Sequence, residues 1–329
     1  MPIATSAPTR IDLAGGTIDI WPLYLFHPGA QTLNAAISLR ARARIEPRHD
    51  TRIVLRSEDT NRVVEAEHWS ELRTQPELRL LSLIAHFFEA HSLTLTTSSQ
   101  SPAGAGIAGS SALNVAVCAA LADWSHRHYE PEALLQIAMN IEAQTINVPT
   151  GLQDYRPALY GGVSALELDV DGIHRVPLDI DAGELERRLV LCYTGEPRNS
   201  GTNNWDITKR HIDGDRHIFD CFERIRDTAA AMRDALVTGD WDAVGRYIAE
   251  EWDNRKRLAP GVTTPLIEEL IARAGGAGAT AAKVCGAGGG GCLFCFGPPE
   301  AAAGIRDALA AGGARVIDFT FERHGLTRG

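Results

Sequence analysis

The chain reads as an α+β protein of two domains, and three features predict it. Its 329 residues, 44% of them hydrophobic, suffice for two ordinary cores. Stretches of period-two alternation, such as "ISLRARARIEP" and "LTLTTSS", are mixed with helical patterns such as "ELRLLSLIAHFFEAH" and "EALLQIAMNIEAQ". These strands and helices lack the regular strand-helix-strand repetition of a doubly wound sheet.

Taken in order, residues 1 to about 60 form a half-solvated β-layer, ending in "TRIVLRSED". A short helix over "ELRLLSLIAHFFEAH" precedes the "LTLTTSS" strand, a glycine loop and an apolar helix through "SSALNVAVCAALADW". The next helix starts near Pro131, a residue suited to a first turn. "YGGVSALELDVDGIHRVPLD" reads as a hairpin turning at Asp171 and Gly172, and the polar "DIDAGELER" as the linker. Beyond it come the strand "RLVLCYTG", helices near 216–237, 240–258 and 264–275, strands "ATAAKVCG" and "LFCF" around a glycine run, a helix near 299–312 and the closing strand "ARVIDFTFE".

Composition narrows the function. No apolar run reaches the roughly 18 residues that span a bilayer, and the N-terminus lacks the layout of a signal peptide, so a cytoplasmic protein with no membrane partner is expected. A net charge of −10 without a basic run disfavours nucleic acid. Cys292 and Cys295 form a C-x-x-C, but no second pair completes a zinc set, and the six cysteines read as core residues. No motif fixes an oligomeric state; a homodimer is compatible with the chain.

The glycine loop "PAGAGIAGSSAL" fits G-x-G-x-x-G at Gly104, Gly106 and Gly109. A dinucleotide fold would follow it with a second strand ending in an acid about 20 residues on. Here another helix follows instead, with Asp123 inside the first. Glycines that let backbone approach an anion at a helix start suit a phosphate. Ser110 and Ser111 are then metal or phosphate ligands, or merely N-caps. Further on, "EAQTINVPTGLQDYRPALYGG" places Glu142 on a helix and Asp154 in a polar loop. "KVCGAGGGGC" sets glycines between apolar strands, where backbone packs tightly against a ligand or another loop.

Three segments in order, "APTRIDLAGGTID", "PAGAGIAGSSAL" and "KVCGAGGGGC", resemble the GHMP kinases, named for galactokinase, homoserine kinase, mevalonate kinase and phosphomevalonate kinase. The resemblance implies a ribosomal-protein-S5-like nucleotide-binding domain over 1–185 and a ferredoxin-like domain over 186–329. It implies ATP and Mg²⁺ as cofactors and a small-molecule sugar or sugar phosphate as partner. The second segment carries one residue more than the common form between Ile107 and Ser110. In this it resembles the branch of D-glycero-D-manno-heptose 7-phosphate kinases and bacterial fucokinases, as do "CYTGEPRNSGTNN" and "EEWDNRKRLAPGVTTP". The implied reaction is phosphorylation of a sugar at its anomeric hydroxyl.

By the same resemblance Asp154 is the base, Arg10 the cation beside the transferring phosphate, and Ser111 with Glu142 the metal ligands, counting back from Ala112 to prefer Ser111 over Ser110. ATP falls to Pro102, Gly104, Ala105, Gly106, Ile107, Gly109, Ser110 and Ser111. The substrate falls to Thr17, Asp19, Gly151, Arg198, Gly288 and Gly289. Two rivals are a fucose- or galactose-type kinase and a non-catalytic sensor on the same fold. The sensor would have no use for an acid at 154.

Overall fold

The computed structural model describes residues 2–197 and 200–329, the side chains of 200–203 excepted. The first sheet is built on β1 (Ile3–Ala14) and the long β2 (Gln31–Pro47), which run antiparallel with bulges at Pro8/Thr9 and Asp12/Ala14. Next come β3 (Ile53–Ser57), β4 (Arg62–Ala66), α1 (Arg79–Phe87) and β5 (Leu93–Ser99). These are followed by α2 (Gly109–Trp124), α3 (Pro131–Ile146), α4 (Tyr155–Tyr160), β6 (Val163–Asp169) and β7 (Gly172–Pro177). One end of β2 pairs with β6 and the other with β5, whose parallel partner is β3. Helix α2 is apolar on nearly every side and sits at the centre of the core beneath this sheet.

After α5 (Ala182–Arg187) the second sheet begins with β8 (Leu189–Tyr193). Helices α6 (Ser200–Ile212), α7 (Arg216–Thr238), α8 (Trp241–Lys256) and α9 (Pro265–Gly276) precede β9 (Ala281–Val284) and β10 (Cys292–Phe296). Helix α10 (Ala302–Ala311), β11 (Arg315–Ile317) and β12 (Thr327–Arg328) end the chain. The second sheet has the order β11-β8-β10-β9, all antiparallel, while β12 returns to pair with β1. A shared apolar cluster joins Ile11, Leu13 and Ile107 of the first body to Leu191, Met232 and Phe294 of the second. The α+β class stands.

The structure departs from the sequence reading in four places. The linker "DIDAGELER" contains α5, anchored by buried Leu185 and capped by Asp181, whose side chain accepts from the Glu184 backbone N–H. Helix α6 lies between the strand "RLVLCYTG" and the helix near 216–237, where the sequence reading placed no element. The closing strand is confined to β11, with only an Ile37–Phe321 bridge beyond it. β4, which completes a hairpin with β3, carries no clear alternation and went unread. All six cysteines are buried and outside any disulfide, Cys292 and Cys295 inside β10.

Candidate active site

A cavity of about 490 Å³ lies where the three glycine-bearing segments meet. Its wall on one side is the loop into α2. Pro102, Gly104, Ala105, Gly106, Gly109, Ser110 and Ser111 all line it, whereas the Ile107 side chain points into the core. Residue Ala108, with φ +61, occupies the N-cap position of α2, and no side chain caps the helix. The serines are therefore not N-caps, and the first-turn amides and the positive end of the dipole face the cavity.

Ser111 and Ser110 differ in environment. The Ser111 hydroxyl, 4% exposed, donates to Glu142 Oε2 at 3.0 Å, while Ser110 is exposed. Glu142 is no surface glutamate: it is 6% exposed, and Tyr155 Oη donates to the same oxygen at 2.7 Å. Burial and the nearby Glu142 charge push the Tyr155 phenol well above its ordinary value, so it stays a donor. The sequence reading missed Tyr155, although its position next to Asp154 was visible.

Asp154 occupies the N-cap position of α4 yet makes no cap hydrogen bond. Its carboxylate instead accepts from Arg10 Nε at 3.0 Å and from Arg10 Nη2. Arg10 is 1% exposed, and its Nη1 donates to Gly106 O at 2.9 Å and Asp12 Oδ1 at 3.3 Å. Burial works against that guanidinium's charge, but Asp154 and Asp12 outweigh it and hold its pKa above the ordinary value.

Asp19 lies close by. Its Oδ2 accepts from the Gln153 backbone N–H at 2.9 Å, and a Cβ on Gly151 would stand 2.7 Å from that oxygen, so glycine is what lets the two segments touch. Burial raises the Asp19 carboxyl to about 6, with the Gln153 N–H opposing. Thr17, at φ +74 and buried, lines the same end. That backbone is costly for a β-branched residue, a strain typical of ligand sites. Arg198 lies outside the described residues.

The third segment divides. Gly286 and Ala287 line the cavity. Gly288 and Gly289, expected at the substrate, pack against the turn at Gly261 and Val262: a Cβ on Gly288 would lie 2.5 Å from Val262 O, and Gly289 N–H donates to that oxygen at 2.8 Å. Gly291 likewise meets Ala105 O, 2.7 Å from where its Cβ would be. The run thus clamps loop to loop.

Beneath the cavity floor lies a buried ion cluster that sequence reading missed. Asp12 Oδ1 accepts from Gly286 N–H at 3.0 Å, and Oδ2 stands 3.5 Å from Lys283 Nζ. Lys283 pairs with Glu251 at 2.6 Å, and Arg255 Nη2 donates to Gly286 O at 2.6 Å. Burial works against the Asp12 charge, but Lys283, Arg10 and Arg255 outweigh it and hold the carboxyl below its ordinary range. The available signal was Lys283 itself, a charge inside an apolar strand that demands a partner.

A second depression, about 920 Å³, is lined by residues of α7 and α8 and carries none of the three segments. Among the described residues no group of three His, Cys, Asp or Glu side chains could by itself hold a metal, and no helix is long and apolar enough to cross a membrane.

Two sheets clamped over a cleft of glycine loops, with an uncapped helix start and a Ser–Glu pair, form the architecture of a small-molecule kinase. The model of the GHMP kinase N-terminal domain matches residues 78–162 and that of the C-terminal domain residues 232–315. A D-glycero-alpha-D-manno-heptose 7-phosphate kinase of Campylobacter jejuni is 30% identical over 98% of both chains. The crystal structure of a D-glycero-D-manno-heptose 1-phosphate kinase from Bacteroides thetaiotaomicron superposes with a TM-score of 0.80 at 26% identity, covering 99% of this chain and 98% of that one. A Bacteroides fragilis L-fucokinase/L-fucose-1-P guanylyltransferase is 26% identical over 97% of this chain but only 38% of its own length. The chain belongs to the GHMP kinases, in their sugar-kinase branch. It is a phosphotransferase with an alcohol group as acceptor.

Proposed function

We propose that the enzyme transfers the γ-phosphoryl group of ATP to a sugar hydroxyl, specifically the anomeric hydroxyl of D-glycero-D-manno-heptose 7-phosphate. The observation that carries the reading is the placement of Asp154: a carboxylate at a helix start that caps nothing and is held at the cavity wall by a buried arginine. Phosphoryl transfer needs donor and acceptor held in line and charge neutralised, and little else from the protein. Asp154 takes the hydroxyl proton, and Arg10 stabilises charge on the transferring group. Asp19 and Thr17 hold the sugar, since a carboxylate accepts two hydroxyls and sugars present them in vicinal pairs. The names of the relatives support heptose as the sugar.

Ser111 and Glu142 suit Mg²⁺, a hard ion that takes one or two protein oxygens and completes its octahedron with phosphate and water. When bound, it neutralises phosphate charge. Excess EDTA should abolish turnover, and Ser111→Ala should cost more activity than Ser110→Ala. The reverse order in a steady-state assay would move the metal ligand to Ser110. Six cysteines outside any disulfide and a need for MgATP suit the cytoplasm.

The direct test is a coupled ADP-release assay over a panel of sugars and sugar phosphates. Hydroxyl-dependent turnover supports the kinase, whereas binding without turnover returns the sensor. Asp19 adds a pH signature. With its carboxyl raised to about 6, ionising it costs the ligand-free fold stability as pH rises through that value, a cost that bound hydroxyls offset. The KM for sugar should therefore fall between about pH 5 and about pH 7, and Asp19→Asn should flatten the profile. A KM profile unchanged by that substitution would remove Asp19 from the sugar site.

A further inference from the structure

We infer that Asp12 is a positioning residue for phosphoryl transfer: sealed under the cavity floor, its carboxylate fixes the Arg10 guanidinium against Asp154. The inference rests on the kinase reading above. Asp12 follows Arg10 by two residues in β1, so both side chains leave the strand on one face. One carboxylate oxygen accepts from Arg10 Nη1 at 3.3 Å and from Gly286 N–H at 3.0 Å, so it joins the first glycine-bearing segment to the third. Arg10 in turn reaches the second, through Gly106 O.

The guanidinium is planar, so its orientation is set once both ends are held. Asp12 and Gly106 hold Nη1, leaving Nε and Nη2 aimed at Asp154. A simpler role would be counter-ion to Lys283. Glu251 already fills that role at 2.6 Å, closer than Asp12 at 3.5 Å.

Charge counting adds a second reason. The cations Arg10, Lys283 and Arg255 face the acids Asp12, Glu251 and Asp154, so the cluster is balanced only while Asp154 is ionised. In the transfer step the acceptor oxygen bonds to phosphorus, the bond from phosphorus to the ADP oxygen breaks, and the acceptor proton passes to Asp154. The cluster then carries one net positive charge, and Asp12 holds the Arg10 guanidinium in place beside the transferring group.

The test is a double-mutant cycle with Asp12→Asn and Arg10→Gln, reading kcat and both KM values. Asp12→Asn alone should lower kcat about 10-fold to 100-fold, the effect of misplacing a reacting group by about 1 Å, with KM for ATP within about threefold. In the Arg10→Gln background the same substitution should cost no more than about twofold, because a residue that acts through Arg10 has nothing left to position. A merely structural residue would lower activity by the same factor in both backgrounds. The double variant removes one charge of each sign and so keeps the cluster balanced; if Asp12→Asn alone fails to fold, comparing that variant with Arg10→Gln decides. An Asp12→Asn enzyme within about threefold of wild-type kcat, or losses that multiply, would overturn the inference while leaving the kinase intact. A wild type that phosphorylates no sugar in the panel would remove the kinase reading first.

Discussion

Asp154→Asn should lower kcat by about 10²-fold to 10⁴-fold, the usual contribution of a positioned general base. Asparagine keeps the size of the side chain, and its amide oxygen can still accept from Arg10 Nε, but it cannot take the proton. KM for ATP should stay near its wild-type value, because the proposed nucleotide contacts lie on the loop into α2. The melting temperature should move by only a few degrees, since Asp154 remains 16% exposed and is the most solvated member of its ion cluster. An anomeric hydroxyl is more acidic than other sugar hydroxyls, which places the loss toward the lower end of the range. A folded variant keeping more than about a third of wild-type kcat would show that Asp154 is not the base, once single-turnover kinetics have excluded limiting product release.

Arg10→Gln should damage both activity and stability. Losing a preorganised cation beside the transferring group typically costs about 10²-fold to 10³-fold in kcat. It also removes the one side chain that bridges Asp154 and Asp12, and breaking a buried pair on one side costs about 3 to 5 kcal/mol. Asp12 retains Lys283 and Asp154 retains some solvent, so the lower figure is expected. Differential scanning fluorimetry should show a melting temperature several degrees below wild type. An Arg10→Gln protein that melts with wild type yet is inactive would mean the arginine matters only to the reaction.

What could be read from the sequence was what is encoded locally. The alternation of "ISLRARARIEP" is β2, and Pro131 opens α3 as its fixed φ predicts. Glu142 and Asp154 stood out as acids on a helix and in a polar loop beyond the glycine segment, and the family resemblance supplied their roles. Helix α6 did not stand out, because Thr202, Asn203 and Asn204 are weak helix formers with no strong apolar stripe. Its end is set by tertiary contact, where His211 stacks on Phe219 and meets His27 Nε2 at 2.9 Å. Asp12 and Lys283 are 271 residues apart in the chain, and no periodicity or spacing could have paired them. The glycines at 288 and 289 were read as ligand contacts because glycine tolerates any close neighbour, and sequence alone does not say whether that neighbour is a substrate or a turn at Val262.

The buried cluster also bears on how the molecule comes apart. Asp12 belongs to the first sheet, Lys283 to the second, and Glu251 and Arg255 to a helix packed on the second. Pulling the sheets apart would strand several charges in low dielectric at once and break the Cys292 N–H to Ala105 O bond with them. A partly opened molecule with one sheet intact therefore sits far above the native state. A single unfolding transition is therefore expected for both sheets, although each has its own set of covering helices, and coincident far-UV and tryptophan-fluorescence melts would check it.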